Sequence, residues 1–288
     1  MKVERRPIGF DLFAGAGGMS LGFEQAGFDV VAAFDSAQHN VETHKKNFPK
    51  CVAFRRDLSK TSGGQLRKDA KLGRKKIDVI FGGPPCQGFS EIGKRLIADP
   101  RNQLLFHFSR LIRELKPRYF VLENVEGLTL GDSENLLDSL ILRVKRAGYG
   151  VVEPIQVLDA ADFGVPQRRR RVFILGFQHG ETPPDYPVAC PLRNGLGRIV
   201  KPKVIDAIRD LRKIGEQTDS FDSDVFCECL GRPSYYAKVL RGEVADPDDR
   251  SPRRKRNGDG LSGCLITHFP HIWVPFSANY LRWASHRP

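Results

Sequence analysis

The sequence predicts an α/β fold, a doubly wound and mostly parallel sheet with helices on both faces, followed by a second, small C-terminal part. Three observations predict it. Over the first ~177 residues, short apolar runs alternate with longer amphipathic ones, the pattern of strand and helix in turn. The acids, glycines and a cysteine that end those runs fall at one end of successive strands. A proline- and glycine-rich stretch, HGETPPDYPVACPLRNGLG, then breaks the pattern within 178–203 and reads as an interdomain linker.

Taken in order, the strand candidates are 8–13, 30–34, 52–56, 78–81, 119–122 and 171–177. The helix candidates between them are 19–26, 37–47, 103–115 and 135–147. Such alternation puts parallel strands side by side, with the crossover helices covering both faces. Beyond the linker, Val204, Ile205, Ile208, Leu211 and Ile214 recur at helical spacing, and 222–260 is polar and charged with little periodicity. The domain layout expected is therefore 1–178, a linker at 179–203, and 204–288 as a smaller second region. The densest charge run, RRKR at 253–256, reads as a solvated loop.

Composition bounds the function. At 288 residues the chain holds one main core and an appendage, since single cores stop growing near ~250 residues. With 40% hydrophobic and 28% charged residues it is neither disordered nor membrane-like. No apolar run approaches the ~20 residues of a bilayer span, and MKVERRPIGF has no apolar stretch like that of a signal peptide, so a cytoplasmic setting is expected. Cys51, Cys86, Cys190, Cys227, Cys229 and Cys264 are scattered without CxxC spacing, so neither a zinc site nor a disulfide framework is expected. A formal net charge of +12 favours an anionic partner such as nucleic acid, although charge alone also suits a merely basic protein.

In an open parallel sheet, ligands bind at the carboxyl ends of the strands. Five successive strands end there in Asp11-Leu-Phe-Ala-Gly-Ala-Gly-Gly18, Asp35, Asp57, Gly82-Gly-Pro-Pro-Cys-Gln87 and Glu123-Asn124. The first glycine turn is either a cofactor loop or an ordinary tight turn; it is not the dinucleotide fingerprint, because Ser20 stands where the third glycine would be. Asp35 lies 20 residues after Gly15 (35 − 15), the distance at which an acid binds ribose hydroxyls. Asp57 is either an acceptor for an adenine amino group or a helix cap. In GGPPCQGFS, two prolines fix the backbone just before Cys86 while the glycines allow a sharp turn, which holds a thiol rigidly at the ligand edge. Glu123 is either a capping acid or a proton donor facing that thiol. The four arginines of QRRRR at 167–171 lead into a strand, so Arg169 and Arg171 share a face, as functional groups or as a basic strand end.

These segments closely resemble the DNA cytosine-5 methyltransferases. DLFAGAGG is similar to the family's cofactor loop, GGPPCQGFS to its nucleophile motif, ENV to its acid motif and QRRRRVFILG to its arginine motif, in the family's order over about residues 8–178. The resemblance implies a Rossmann-like class I methyltransferase fold, S-adenosyl-L-methionine as cofactor and double-stranded DNA as partner. It implies Cys86 as nucleophile, Glu123 as the group bonded to ring nitrogen 3, and Arg169 and Arg171 as cytosine-site arginines. The implied cofactor set is Asp11, Phe13, Gly15, Gly17, Asp35, Ser36, Asp57, Leu58, Pro84 and Leu104. Residues 204–288 become a partial target-recognition region.

Two departures stand out. Ser36 occupies the place of a frequent aromatic residue against the adenine. Two later family segments, an arginine-rich helix and a Gly-Asn-rich return to the cofactor site, have no counterpart before SANYLRWASHRP. The C-terminal domain is thus expected to be incomplete, with the chain either truncated or completed by a second polypeptide. Competing expectations are a tRNA cytosine-5 methyltransferase, against which Gly88-Phe89-Ser90 looks like the DNA type, and a catalytically silent subunit of the same fold. A nicotinamide dehydrogenase would want the third glycine.

Overall fold

The computed structural model describes residues 5–85, 103–131, 134–189, 202–209, 232 and 234–240. Their strands are β1 (Ile8–Leu12), β2 (Asp29–Asp35), β3 (Val52–Arg55), β4 (Val79–Gly82), β5 (Tyr119–Val125), β6 (Tyr149–Val151), β7 (Gln156–Asp159) and β8 (Arg170–Gln178). They form one sheet in the order β3-β2-β1-β4-β5-β8-β6, with β7 also paired to β8. The pairings from β3 through β5 are parallel, and β8 runs antiparallel to β5, β6 and β7. The sheet is mainly parallel, as the alternating sequence predicts.

Helices α1 (Gly18–Gln25), α2 (Gln38–Asn47), α3 (Gly63–Asp69), α4 (Gln103–Leu115) and α5 (Glu134–Arg146) cover its two faces. Successive strand residues point to opposite faces, so each strand feeds two cores. Val79, Phe81, Val121 and Phe173 pack with Phe23 of α1 and Val41 of α2, the Phe23 and Phe81 rings stacking at 3.8 Å. Ile80, Phe120, Leu122 and Ile174 instead pack with Leu66 of α3, Phe108 and Leu111 of α4, and Leu140 of α5. In α4 the buried residues Leu105, Phe108, Leu111, Ile112 and Leu115 form a helical stripe.

The order reverses beside β1: β2 lies on one side of it and β4 on the other. A crevice opens at such a switch point, between loops leaving neighbouring strands in opposite directions. Close approach of β1 and β4 there requires Gly82, where a Cβ would lie 2.1 Å from the Leu12 carbonyl oxygen. Gly82→Ala is expected to force these strands apart and to lower stability by about 2–3 kcal/mol, read from urea unfolding. A loss under ~0.5 kcal/mol would show that the two strands part easily.

Sequence and structure differ at several places. The strand expected over 8–13 stops at Leu12, because Phe13 takes a left-handed φ of 60°. The strand expected over 119–122 continues to Val125, because β8 pairs alongside it as far as Val125↔Arg171. Helix α3 carries little helical signal in the sequence because it opens on two glycines; Ser62 caps it, accepting from the Gln65 amide at 3.2 Å. Strands β6 and β7, three and four residues long, have no counterpart among the predicted strands; among the described residues each pairs only with β8. Beyond the linker, α6 (Val204–Ile208) matches the predicted helical spacing, whereas Leu211, Ile214 and the RRKR run lie outside the described residues. Helix α7 (Tyr235–Leu240) falls in a stretch read as aperiodic, and its buried Tyr236 donates to the Gly164 carbonyl at 3.1 Å.

Candidate active site

The loop leaving β1 turns sharply at Phe13, Gly15 and Gly17, with φ of 60°, 55° and 97°. Asp35, at the end of β2, holds that loop. Its carboxylate accepts from the Gly15 amide at 2.9 Å, and also from the Ala37 amide at 2.9 Å and Asn40 Nδ2 at 3.0 Å. A carboxylate offers about four acceptor sites, so these three bonds leave capacity for a hydroxyl. A Cβ on Gly15 would meet nothing within 4 Å, so the loop backbone faces open space next to that acid.

Behind the loop Asp11, which the resemblance assigns to the cofactor set, sits in a polar network with Ser20 and His44 whose connection the sequence does not show. Asp11 and His44 are each 1% exposed, and Ser20 joins them, donating to Asp11 Oδ2 at 2.6 Å and lying 3.0 Å from His44 Nε2. Gly17 closes on the same group: a Cβ there would meet the Phe48 ring at 2.2 Å and His44 at 3.0 Å. The signal was one serine and one histidine on amphipathic helices, indistinguishable from surface residues without the sheet.

Burial pushes the Asp11 carboxyl up to about 7, against the hydrogen bond from Ser20, and pushes His44 down to about 4. Asp11 therefore favours folding when protonated, and that stability is lost as pH rises from its unfolded value of 3.8 through about 7. The His44 contribution runs the other way, being lost as pH falls from 6.5 through about 4. Between these limits the two slopes, each about 1.4 kcal/mol per pH unit, oppose one another. His44→Gln keeps a donor for Ser20 but does not titrate. Relative to the parent, its unfolding free energy is expected to decline by about 1.4 kcal/mol for each unit of rising pH between about 4 and 6.5. Parallel profiles for the two proteins would show that His44 does not balance Asp11.

The remaining cofactor-set residues differ in setting. Ser36 is exposed, and its carbonyl accepts from Arg55 Nε at 3.1 Å. The exposed Asp57 caps the turn after β3, accepting from the amide and hydroxyl of Ser59 at 3.0 and 2.6 Å, which holds its carboxyl below the usual range. Leu58 is 2% exposed within the α4 core, and Leu104 is half-buried on α4. Pro84 is buried at the end of the β4 loop. Asn124, 3% exposed, donates from Nδ2 to the Pro84 carbonyl at 3.1 Å, while its Oδ1 accepts from the Val125 amide at 2.9 Å. That grip lies two residues before Cys86 (86 − 84), which itself lies outside the described residues.

Glu123 and the arginines meet at the junction of β5 and β8. Arg171 Nε lies 3.1 Å from Glu123 Oε1, and a Cβ on Gly83 would meet Glu123 Oε2 at 2.7 Å. The carboxylate is thus wedged between an arginine and the loop leading to Cys86. Burial raises the Glu123 carboxyl, opposed by Arg171 and then Arg169. Burial, reinforced by Arg171, lowers the Arg169 guanidinium. Between them Arg170 turns outward to Glu126 at 2.7 Å. Asp159, also missed in the sequence, fixes this corner by accepting from the amides of Ala161 and Arg169 at 3.1 and 3.0 Å.

The profile of C-5 cytosine-specific DNA methylases matches residues 9–224. The chain belongs to that family. It is 46% identical over 262 residues to the Type II methyltransferase M.XorII of Xanthomonas oryzae pv. oryzae, a match spanning 91% of this chain and 60% of the relative. It is 40% identical over 173 residues to the Type II methyltransferase M1.HphI of Haemophilus parahaemolyticus, spanning 59% of this chain and 45% of that one. Among solved structures, an Escherichia coli protein described as a DNA modification methyltransferase encoded within a prophage superposes with a TM-score of 0.54 at 37% identity, over 60% of this chain and 47% of that one. The chain therefore spans about half of the length of the relatives it matches. Among the described residues of this methylase-family chain, no helix is long and apolar enough to cross a membrane.

Proposed function

We propose that the chain transfers a methyl group from S-adenosyl-L-methionine to carbon 5 of cytosine in double-stranded DNA, by way of a covalent Cys86 adduct on a flipped-out base. The observation that carries this reading is the placement of Glu123, clamped by Arg171 and lying against Gly83, three residues before Cys86 (86 − 83). Residues 1–178 carry the cofactor and the chemistry, 179–203 link, and 204–288 contribute to target recognition.

The residues around the crevice suit the cofactor. Asp35 keeps acceptor capacity for ribose hydroxyls beside the open backbone at Gly15, and Asp57 stands at the end of the next strand. When bound, the sulfonium supplies an electrophilic methyl group.

Carbon 5 of cytosine is a weak nucleophile until a thiolate adds to carbon 6. Cys86 forms the carbon 6–sulfur bond, and the ring electrons move toward carbon 5 and nitrogen 3. Glu123 donates a proton to nitrogen 3, while Arg169 or Arg171 faces the developing charge at the exocyclic oxygen. Once carbon 5 carries the methyl group, which the bound sulfonium would give up by leaving as a neutral thioether, the carbon 5 proton passes to a base. Its electron pair re-forms the carbon 5–carbon 6 double bond as the carbon 6–sulfur bond breaks to release the Cys86 thiolate, and the nitrogen 3 proton returns to Glu123. The target atoms lie inside a stack, so the base must first be extruded.

Transfer of a labelled methyl group to duplex DNA, to tRNA or to neither tests the reading. Label in DNA is the expected result. Label confined to tRNA overturns the substrate, and label in neither, with cofactor bound, overturns the activity.

A further inference from the structure

The edge of the sheet opposite Glu123, where the strands begin, carries an uncompensated cluster of cations. Lys68, Lys71, Arg74, Lys75, Lys76 and Lys116 are all exposed, and among the described residues none of the six is in an ion pair. The acids of that region are taken by other arginines. Asp78 is bound by Arg5 at 3.0 Å and Arg118 at 3.5 Å, Glu181 by Arg118 at 2.5 Å, Asp69 by Arg56 at 2.7 Å and Asp29 by Arg6 at 3.2 Å.

The cluster is also built. One buttressing guanidinium, that of Arg67, donates to the carbonyls of Gly73, Lys75 and Leu115 at 3.1, 2.7 and 3.4 Å, tying the loop before β4 to the end of α4. Lys71 and Lys116 adopt left-handed φ of 49° and 50°, a conformation that glycine takes at least cost. At both places the chain carries a lysine. The apolar residues of the loop, Leu72 and Ile77, are 5% and 0% exposed, so the surface offers charge with no apolar anchor. Protein interfaces need such anchors, whereas a phosphate backbone needs only cations that displace its counterions. Lys116 is separated from Glu123 by seven residues along β5 and its lead-in (123 − 116), on the order of 20 Å at ~3.3 Å per residue.

We propose that this surface holds a second segment of duplex DNA through its phosphates, without base readout, at the edge opposite the catalytic residues. The chain would then touch two DNA segments at once. The proposal does not depend on methyl transfer, and its test uses none.

The 288-residue chain and its Lys71→Gln/Arg74→Gln/Lys75→Gln/Lys76→Gln variant are titrated with a short duplex of A·T pairs alone, without cofactor, over a range of salt. Each exposed side chain loses only its charge, and circular dichroism checks that both proteins are folded. The parent is expected to bind two duplexes and the variant one, with low-salt affinity for the weaker site reduced at least about tenfold. The dependence of log K on log salt should flatten by up to about 3.6, near 0.9 for each of the four lost phosphate contacts. Equal stoichiometry and equal salt slopes would overturn the proposal. So would a variant that keeps both duplexes but loses binding to polyglutamate, which would assign the surface to an acidic protein.

Discussion

Replacing Cys86 by serine is expected to abolish methyl transfer, lowering turnover by roughly a thousandfold or more, about 4 kcal/mol of barrier, while leaving DNA binding within about twofold. A thiol is partly ionised near neutral pH and a serine hydroxyl is not, so the substitution removes the thiolate proposed as the nucleophile and almost nothing else. The surroundings should survive it. Asn124 grips the Pro84 carbonyl at 3.1 Å through a side chain that is itself fixed by the Val125 amide, and neither contact involves residue 86. Duplex DNA carrying 5-fluorocytosine sharpens the measurement, because fluorine cannot leave carbon 5 as a proton does. Mass spectrometry of the parent should find the base and its methyl group attached to Cys86, and the variant should give no adduct. A parent active on ordinary DNA that forms no adduct, or a serine variant keeping more than a few per cent of activity, would remove Cys86 from the nucleophile's role.

Much of this was legible in the sequence, for reasons specific to the residues. Strands β1, β4 and β5 are buried on both faces, so their apolar runs stand out, and the polar residues ending them mark one edge of the sheet. Alternation along QRRRR sends Arg169 and Arg171 toward Glu123 and Arg170 away from it. The illegible parts depend on contacts between segments distant in sequence. Ser20 and His44 are 24 positions apart, and only the sheet brings both to Asp11. Asn124 could be read as part of a motif, but its hold on a carbonyl 40 positions earlier could not. Asp57 was open between ligand acceptor and cap; it caps the Ser59 turn, a local bond that also leaves it exposed at the ligand edge.

Glu123→Gln is expected to reduce turnover by roughly 10²- to 10⁴-fold while changing cofactor affinity by less than about threefold. Glutamine has the size of glutamate and can donate a hydrogen bond to ring nitrogen 3. It has no proton of carboxylic acidity to transfer as negative charge builds on the ring. The carboxylate lies against Gly83 and 3.1 Å from Arg171, whereas the acid proposed for ribose, Asp35, belongs to β2 and binds the Gly15 amide, so the two substitutions should separate. Asp35→Ala should raise the cofactor dissociation constant and spare turnover at saturation. The pH profile supplies an independent readout. Burial raises the Glu123 carboxyl, which keeps its proton available nearer neutrality, and Arg171 opposes that rise. The acid form is the active one in this role, so turnover should fall as pH climbs through the Glu123 titration. Arg171→Met removes the nearest opposing charge and should move that alkaline limb to higher pH, at a lower maximal rate because the exocyclic oxygen loses a cation. In Glu123→Gln the same limb should vanish. If it persists there unchanged, another group supplies the proton, and Glu123 serves only to hold Arg171 in place.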